Sequence, residues 1–160
     1  MIITRIEELR FCFLGPAKKP SGSSPHVNRM SPLLVVDAAN VVGSVPDGWW
    51  RDRLGATIRL RDALAQVSNE GLVGARVPKP LGTPPIQVVL VVEGRARDVE
   101  GTVAVRVVSA PGSGDDAIVE VVRDEGADRL CVVATADRDL ATRVRALGAV
   151  VIGPRSVPRR

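Results

Sequence analysis

The chain has 160 residues, 45% apolar and 25% charged. That is the usual balance of a soluble globular protein with a single sizeable core. Two cysteines and one histidine exclude a disulfide framework, a zinc site and histidine-based catalysis, and no apolar run approaches the roughly 18 residues of a membrane span. The formal charge of +4 is uneven: residues 1–30 carry five Lys/Arg against two Glu, so the remainder is +1 and offers little general attraction for nucleic acid.

Residues 1–30 differ in composition from the rest, holding both phenylalanines, the only histidine (His26) and Cys12. Residues 15–25 read as disordered. The apolar patch at 11–14 is shorter than the roughly 7–15 residues of a secretory signal, and no small-residue cleavage site closely follows it. Residues 1–29 are therefore expected to be an upstream extension, with Met30 as the native start, or else a flexible binding arm. A cytoplasmic location follows from the same reading.

From residue 31 to residue 154 strands and helices alternate. Residues 33–36 are a continuous apolar run ending at Asp37, as expected for a strand buried on both faces. Residues 49–67 read as a helix, and the Gly/Pro-rich residues 71–85 as a loop. Strands are expected at 86–92, 103–108, 130–134 and 149–152, and helices at 113–125 (Ser113 as N-cap) and at 137–147 (closed by Gly148). The pattern is α/β with a mostly parallel five-stranded sheet. Residues 93–101 are barely long enough for a parallel crossover, so the second and third strands could instead form a hairpin. Residues 155–160, with Arg155, Arg159 and Arg160, are expected to be an exposed basic tail. Cys131, in an apolar run, reads as a buried inert thiol.

Sites in parallel α/β sheets form beyond the carboxyl ends of the strands. Acidic residues fall there: Asp37 after the first strand, Glu93 after the second, Asp115 and Asp116 after the third, Asp137 and Asp139 after the fourth. Each could simply cap a helix. Together they form a group of like charges, which persists best where a cation neutralises it. Several carboxylates and an amide oxygen suit Mg2+ or Mn2+, whose chemistry serves phosphodiester hydrolysis.

The ordered set Asp37-Ala38-Ala39-Asn40, Gly114-Asp115-Asp116-Ala117-Ile118 and Val133-Ala134-Thr135-Ala136-Asp137-Arg138-Asp139-Leu140 resembles the three acidic motifs of PIN-like nucleases. The resemblance is to the NYN-domain branch and, within it, to YacP-type proteins, over residues 33–153. It implies a Rossmann-like three-layer sandwich with a metal-dependent ribonuclease site. Asp37, Asp115 and Asp137 would be catalytic metal ligands, with Asp116 and Asp139 as further ligands and Asn40, Glu93 and Thr135 as accessory groups. Two positions depart from the pattern. Ala38-Ala39 stand where YacP-type proteins have Gly-Tyr, and Val92-Glu93 stand where they commonly have Phe-Asp.

Candidate substrate contacts are Trp49, through base stacking, Arg51 and Arg138, through phosphate, and Ser113 in a Gly-Ser-Gly turn at a helix N-terminus. For Trp49-Trp50, packing of one ring over the core edge is the competing reading, and a solvated face is that for Arg51, Arg53, Arg59 and Arg61. The expected function is hydrolysis of single-stranded RNA with Mg2+ or Mn2+. A nucleotide phosphoanhydride hydrolase and a non-catalytic RNA-binding module are the alternatives. The apolar fraction permits a homodimer.

Overall fold

A computed structural model describes residues 30–159. The expectations for residues 1–29 and Arg160 lie outside the described residues. The chain runs β1 (Leu33–Asp37), α1 (Ala38–Gly43), α2 (Arg53–Glu70), β2 (Gln87–Val92), β3 (Val105–Ser109), α3 (Gly114–Glu125), β4 (Cys131–Ala134), α4 (Arg138–Ala146) and β5 (Val150–Ile152). The five strands form one sheet in the order β3-β2-β1-β4-β5. Every pairing is parallel, with β1 in the centre: Leu33 stands opposite both Gln87 and Cys131.

A parallel sheet needs a helical layer on each face, which explains why its strands are continuous Val/Leu runs. Alternate residues feed two separate cores. Leu34, Val36, Val88, Leu90 and Val132 pack on one face with Val41 of α1 and Leu60, Leu64 and Val67 of α2. Leu33, Val35, Val89, Val91 and Val133 pack on the other face with Ile118 and Val122 of α3 and Leu140 and Val144 of α4. The molecule is thus a Rossmann-like three-layer α/β sandwich with an all-parallel five-stranded sheet. Among the described residues no helix is long and apolar enough to cross a membrane.

The structure differs from the sequence reading at several points and settles the alternative left open for β2 and β3. The second and third strands are parallel, not a hairpin. Strand β3 begins at Val105 and not at 103, which leaves residues 93–104 for the crossover, about the dozen residues it requires. The helix expected at 49–67 is split into a 3-10 turn over Trp49–Arg51 and α2, which Asp52 starts by accepting the Gly55 N–H at 2.8 Å. A short helix, α1, was not anticipated. The basic tail is partly anchored: Pro154 and Val157 are buried, and Arg159 donates to the Ser44 hydroxyl at 2.9 Å, while Arg155 is exposed.

At the end of the sheet away from the carboxylates, Arg129 is enclosed, its side chain only 2% exposed. It donates to the Glu125 carboxylate at 3.2 Å, the Glu125 carbonyl at 2.8 Å and Gln87 Oε1 at 2.7 Å. Arg106 pairs with the same Glu125 carboxylate. Removing one partner of an enclosed pair leaves the others unsatisfied. Arg129→Met is therefore expected to cost about 2–4 kcal/mol, less than a wholly buried pair because Arg106 still serves Glu125. Urea unfolding checks this; a loss below about 0.5 kcal/mol, the range of an ordinary surface change, would mean that the cluster contributes little.

Candidate functional site

In the order β3-β2-β1-β4-β5 the chain reverses direction of growth between β1 and β4, and at such a switch point α/β sheets form a crevice at the carboxyl ends of the strands. Asp37 is the last residue of β1 and Thr135 the first after β4. Both are buried, with Asp37 8% exposed. Thr135 Oγ1 donates to Asp37 Oδ2 at 3.0 Å and accepts the Asp137 N–H at 3.1 Å. Asn40 makes a second bridge: its N–H donates to Asp37 Oδ1 at 3.1 Å, and its Oδ1 accepts the Ala136 N–H at 2.9 Å. The first and third acidic motifs, almost 100 residues apart in the chain, are thereby sewn together.

The second motif is held from β2. Glu93 Oε2 accepts the Gly114 N–H at 2.6 Å and so occupies the N-terminus of α3. A Cβ on residue 114 would stand 2.7 Å from that oxygen, so a larger residue there would displace the Glu93 carboxylate. Ser113 takes the N-cap position, as expected, but its side chain makes no capping bond. Glu93 does that work instead.

Asp115 joins this group; Asp116 does not. Successive helical residues point about 100° apart, and Asp116 is turned to Arg143 of α4 at 2.7 Å. Asp139 is exposed on the first turn of α4, beyond Asp137. Asp37 and Asp137 also cap their own helices, Asp137 accepting the Leu140 N–H at 2.9 Å. The capping reading and the cluster reading are therefore both realised in the same side chains.

The carboxylates act on one another electrostatically. Burial raises the Asp37 carboxyl above the ordinary aspartate range; bonds from Asn40 and Thr135 oppose this, and the charges of Asp115 and Glu93 add to it. Asp115 is raised as well, by desolvation and then by Asp137 and Glu93, with Arg143 pulling the other way and Asp116 adding to the rise. Perturbed carboxyls gathered in a crevice are a mark of functional sites. Among the described residues, no three acidic, histidine or cysteine side chains stand close enough to form a ready-made cage for one ion. Mg2+ asks for less, one or two carboxylates with water and substrate phosphate completing the shell. The oxygen-only donors around Asp37 fit that mode of binding and not a closed structural site.

Arg138 is exposed at the first position of α4, and Arg51 and Ser113 are exposed. Trp50 is 53% exposed, whereas Trp49 is half-buried and lines a cleft with Ala38, Val42 and Arg53. The guanidinium of Arg53 lies 5.0 Å from the Trp49 ring centroid. Arg53, one of the four arginines whose expected alternatives are phosphate contact and a solvated face, is engaged by Trp49 four residues before it. Cys131 is buried, its thiol pushed up to about 11 by desolvation, and is inert.

No protein-family model matches the chain, and no curated protein matches it. Among solved structures, the chain is similar to Rae1 (YacP) of Bacillus subtilis, in its W164L mutant form. The TM-score is 0.50 and the identity 17%, over 78% of this chain and 70% of that one. The likeness is one of fold.

The raised Asp37 carboxyl has a consequence for stability. The folded chain holds this proton more tightly than the unfolded chain does, so stability falls as pH rises from the unfolded value through the folded one. Above that window the full cost of the ionised group is present. Asp37→Asn removes the charge, so the variant is expected to resist urea better than the parent at pH 7, with the difference shrinking toward pH 4. A variant less stable at pH 7, by a margin independent of pH, would contradict this account of the buried charge.

Proposed function

We propose that this chain is a divalent-cation-dependent endoribonuclease of the PIN-like type, in its NYN branch, acting on single-stranded RNA. The observation that supports this best is the meeting of Asp37, Thr135 and Asp137 at the β1/β4 crevice, with Asp115 and Glu93 near enough to perturb Asp37. Mg2+ or Mn2+, when bound, supplies an activated water and neutralises charge developing on the phosphodiester. Asp37 would hold it directly, with water and the substrate phosphate completing the shell, and Asp115 and Asp137 would act on it through its bound water. Thr135 and Asn40 fix the orientation of Asp37, and Glu93 fixes the start of α3 and with it Asp115. Arg138, exposed beside Asp137, offers its guanidinium to a substrate phosphate. The raised carboxyls are relieved by a cation, which is the electrostatic reason for assigning one to them.

One observation counts against the phosphoanhydride alternative. The N–H of Gly114, the donor that would cradle a nucleotide phosphate, already serves Glu93. A non-catalytic RNA-binding module is an outcome of the following test.

Incubation of the full chain with single-stranded RNA and Mn2+ or Mg2+ is expected to give internal cleavage. Asp37→Asn should lose more than about a hundredfold, beyond the roughly 10–100-fold typical of groups standing behind a metal ligand. Asp115→Asn, Asp137→Asn and Thr135→Ala should fall within that lower range and Thr135→Ser recover most of the loss. Mn2+ should raise the melting temperature of the parent but not of Asp37→Asn. Intact RNA under every metal, or cleavage unchanged in Asp37→Asn, would defeat the proposal; RNA binding without cleavage would leave the non-catalytic module.

A further inference from the structure

We propose that the cleft between α1, α2 and the segment after β2 is a seat for one unpaired nucleobase of the substrate strand, beside the scissile phosphate. This deepens the nuclease reading and rests on it for the identity of the ligand. The cleft has a volume of ≈ 110 Å³, is partly open to solvent, and is walled by Ala38, Val42, Trp49, Arg53, Glu93 and Ala96. An enclosed apolar cavity of roughly 150 Å³ accepts a benzene ring. Here the open side lets a base insert part of its ring system and leave its sugar outside.

The lining selects a base over other ligands. Alanine and valine walls exclude a solvated ion. Trp49 offers an indole surface, with the Arg53 guanidinium over the ring as a second planar, cationic surface for stacking. Glu93 at the wall repels a phosphate but has Oε1 available to accept from a base amino group, since Oε2 takes the Gly114 N–H. The position follows from the chain: Ala38 is the residue after Asp37, and Glu93 is the group that acts on the Asp37 carboxyl from β2. A base in this cleft therefore brings its own phosphate to the carboxylate crevice. Ala38-Ala39 matter for the same reason. Large side chains there would fill the space the base needs.

The chain has two tryptophans and no tyrosine, so Trp50→Phe makes Trp49 the sole indole reporter. In the full chain carrying Trp50→Phe and Asp37→Asn, without divalent cation, an RNA tetranucleotide is expected to quench tryptophan emission saturably. An abasic ribose-phosphate oligomer should not. Ala39→Phe, at an exposed position lining the cleft, and Trp49→Ala should each weaken binding of labelled RNA roughly five- to hundredfold, the range of one base stack. Quenching equal for the abasic oligomer, or RNA affinity unchanged in Ala39→Phe, overturns the base seat even if the parent cleaves RNA. Saturable base-dependent quenching in a protein that never cleaves RNA sustains the seat and removes the nuclease.

Discussion

The bond between Thr135 and Asp37 is the interaction on which the site depends. A carboxylate at the end of a fully buried strand has lost most of its water, and burial of a charge is tolerated only with compensation. Asp37 receives two hydrogen bonds, one on each oxygen, from Asn40 and Thr135. That suffices to hold its orientation but not to bring its carboxyl back to the ordinary range. The group is thus rigid and under-compensated at once, the combination expected of a residue whose remaining partner arrives with the substrate. Because Thr135 also receives the Asp137 N–H, the geometry of one carboxylate is transmitted directly to the loop that carries the next.

Helix capping and charge clustering are usually weighed as rival explanations of acidic residues at strand ends. Here they cooperate. Capping by Asp37, Asp137 and Glu93 brings α1, α4 and α3 to the same edge of the sheet, and the helix N-termini in turn favour negative charge there. The cost is mutual repulsion, visible in the raised Asp37 and Asp115. Stability is given up at this edge and recovered in two cores and in the Arg129–Glu125 cluster at the other, a division between function and support common in enzymes. The absence of a three-ligand cage among the described residues agrees with the caps: an oxygen directed at its own helix is not directed at a shared centre.

The layered fold was legible because it is written in composition. Val/Leu runs such as residues 33–36 and 86–92 have no other use than strands covered on both faces, and Gly148 and Asp137 mark helix ends by known rules. Helix α1 was missed although Asp37 had been read as a possible cap, because Ala38–Gly43 is only six residues long, too short to show a helical period of its own. The division between the Trp49–Arg51 turn and α2 was missed because Asp52 lies inside an otherwise helical pattern, where its capping bond to Gly55 is invisible to periodicity. Sequence also grouped Asp115 with Asp116; only the helix twist, and Arg143 on a different element, separates them. Glu93 as the cap of α3 depends on a contact between residues 21 apart in sequence, which no local rule contains.

The charge of the body raises the question of how such a protein would hold RNA at all. With 17 Lys/Arg against 16 Asp/Glu after residue 30, it cannot rely on a basic surface, and its crevice is acidic. Several of its arginines are already engaged: Arg61 with Asp62, Arg106 and Arg129 with Glu125, Arg143 with Asp116. Attraction to phosphate falls steeply with salt and scales with the number of contacts, so a body of near-neutral net charge gains little by that route. Stacking does not depend on net charge, and a divalent ion reverses the sign of the crevice locally. Under the proposed function, the half-buried Trp49 with Arg53 above it would supply the first and a cation at the neighbouring carboxylates the second. On this view the near-neutral surface is a source of selectivity: a strand lacking an unpaired base at the right distance from the phosphate has little else to bind.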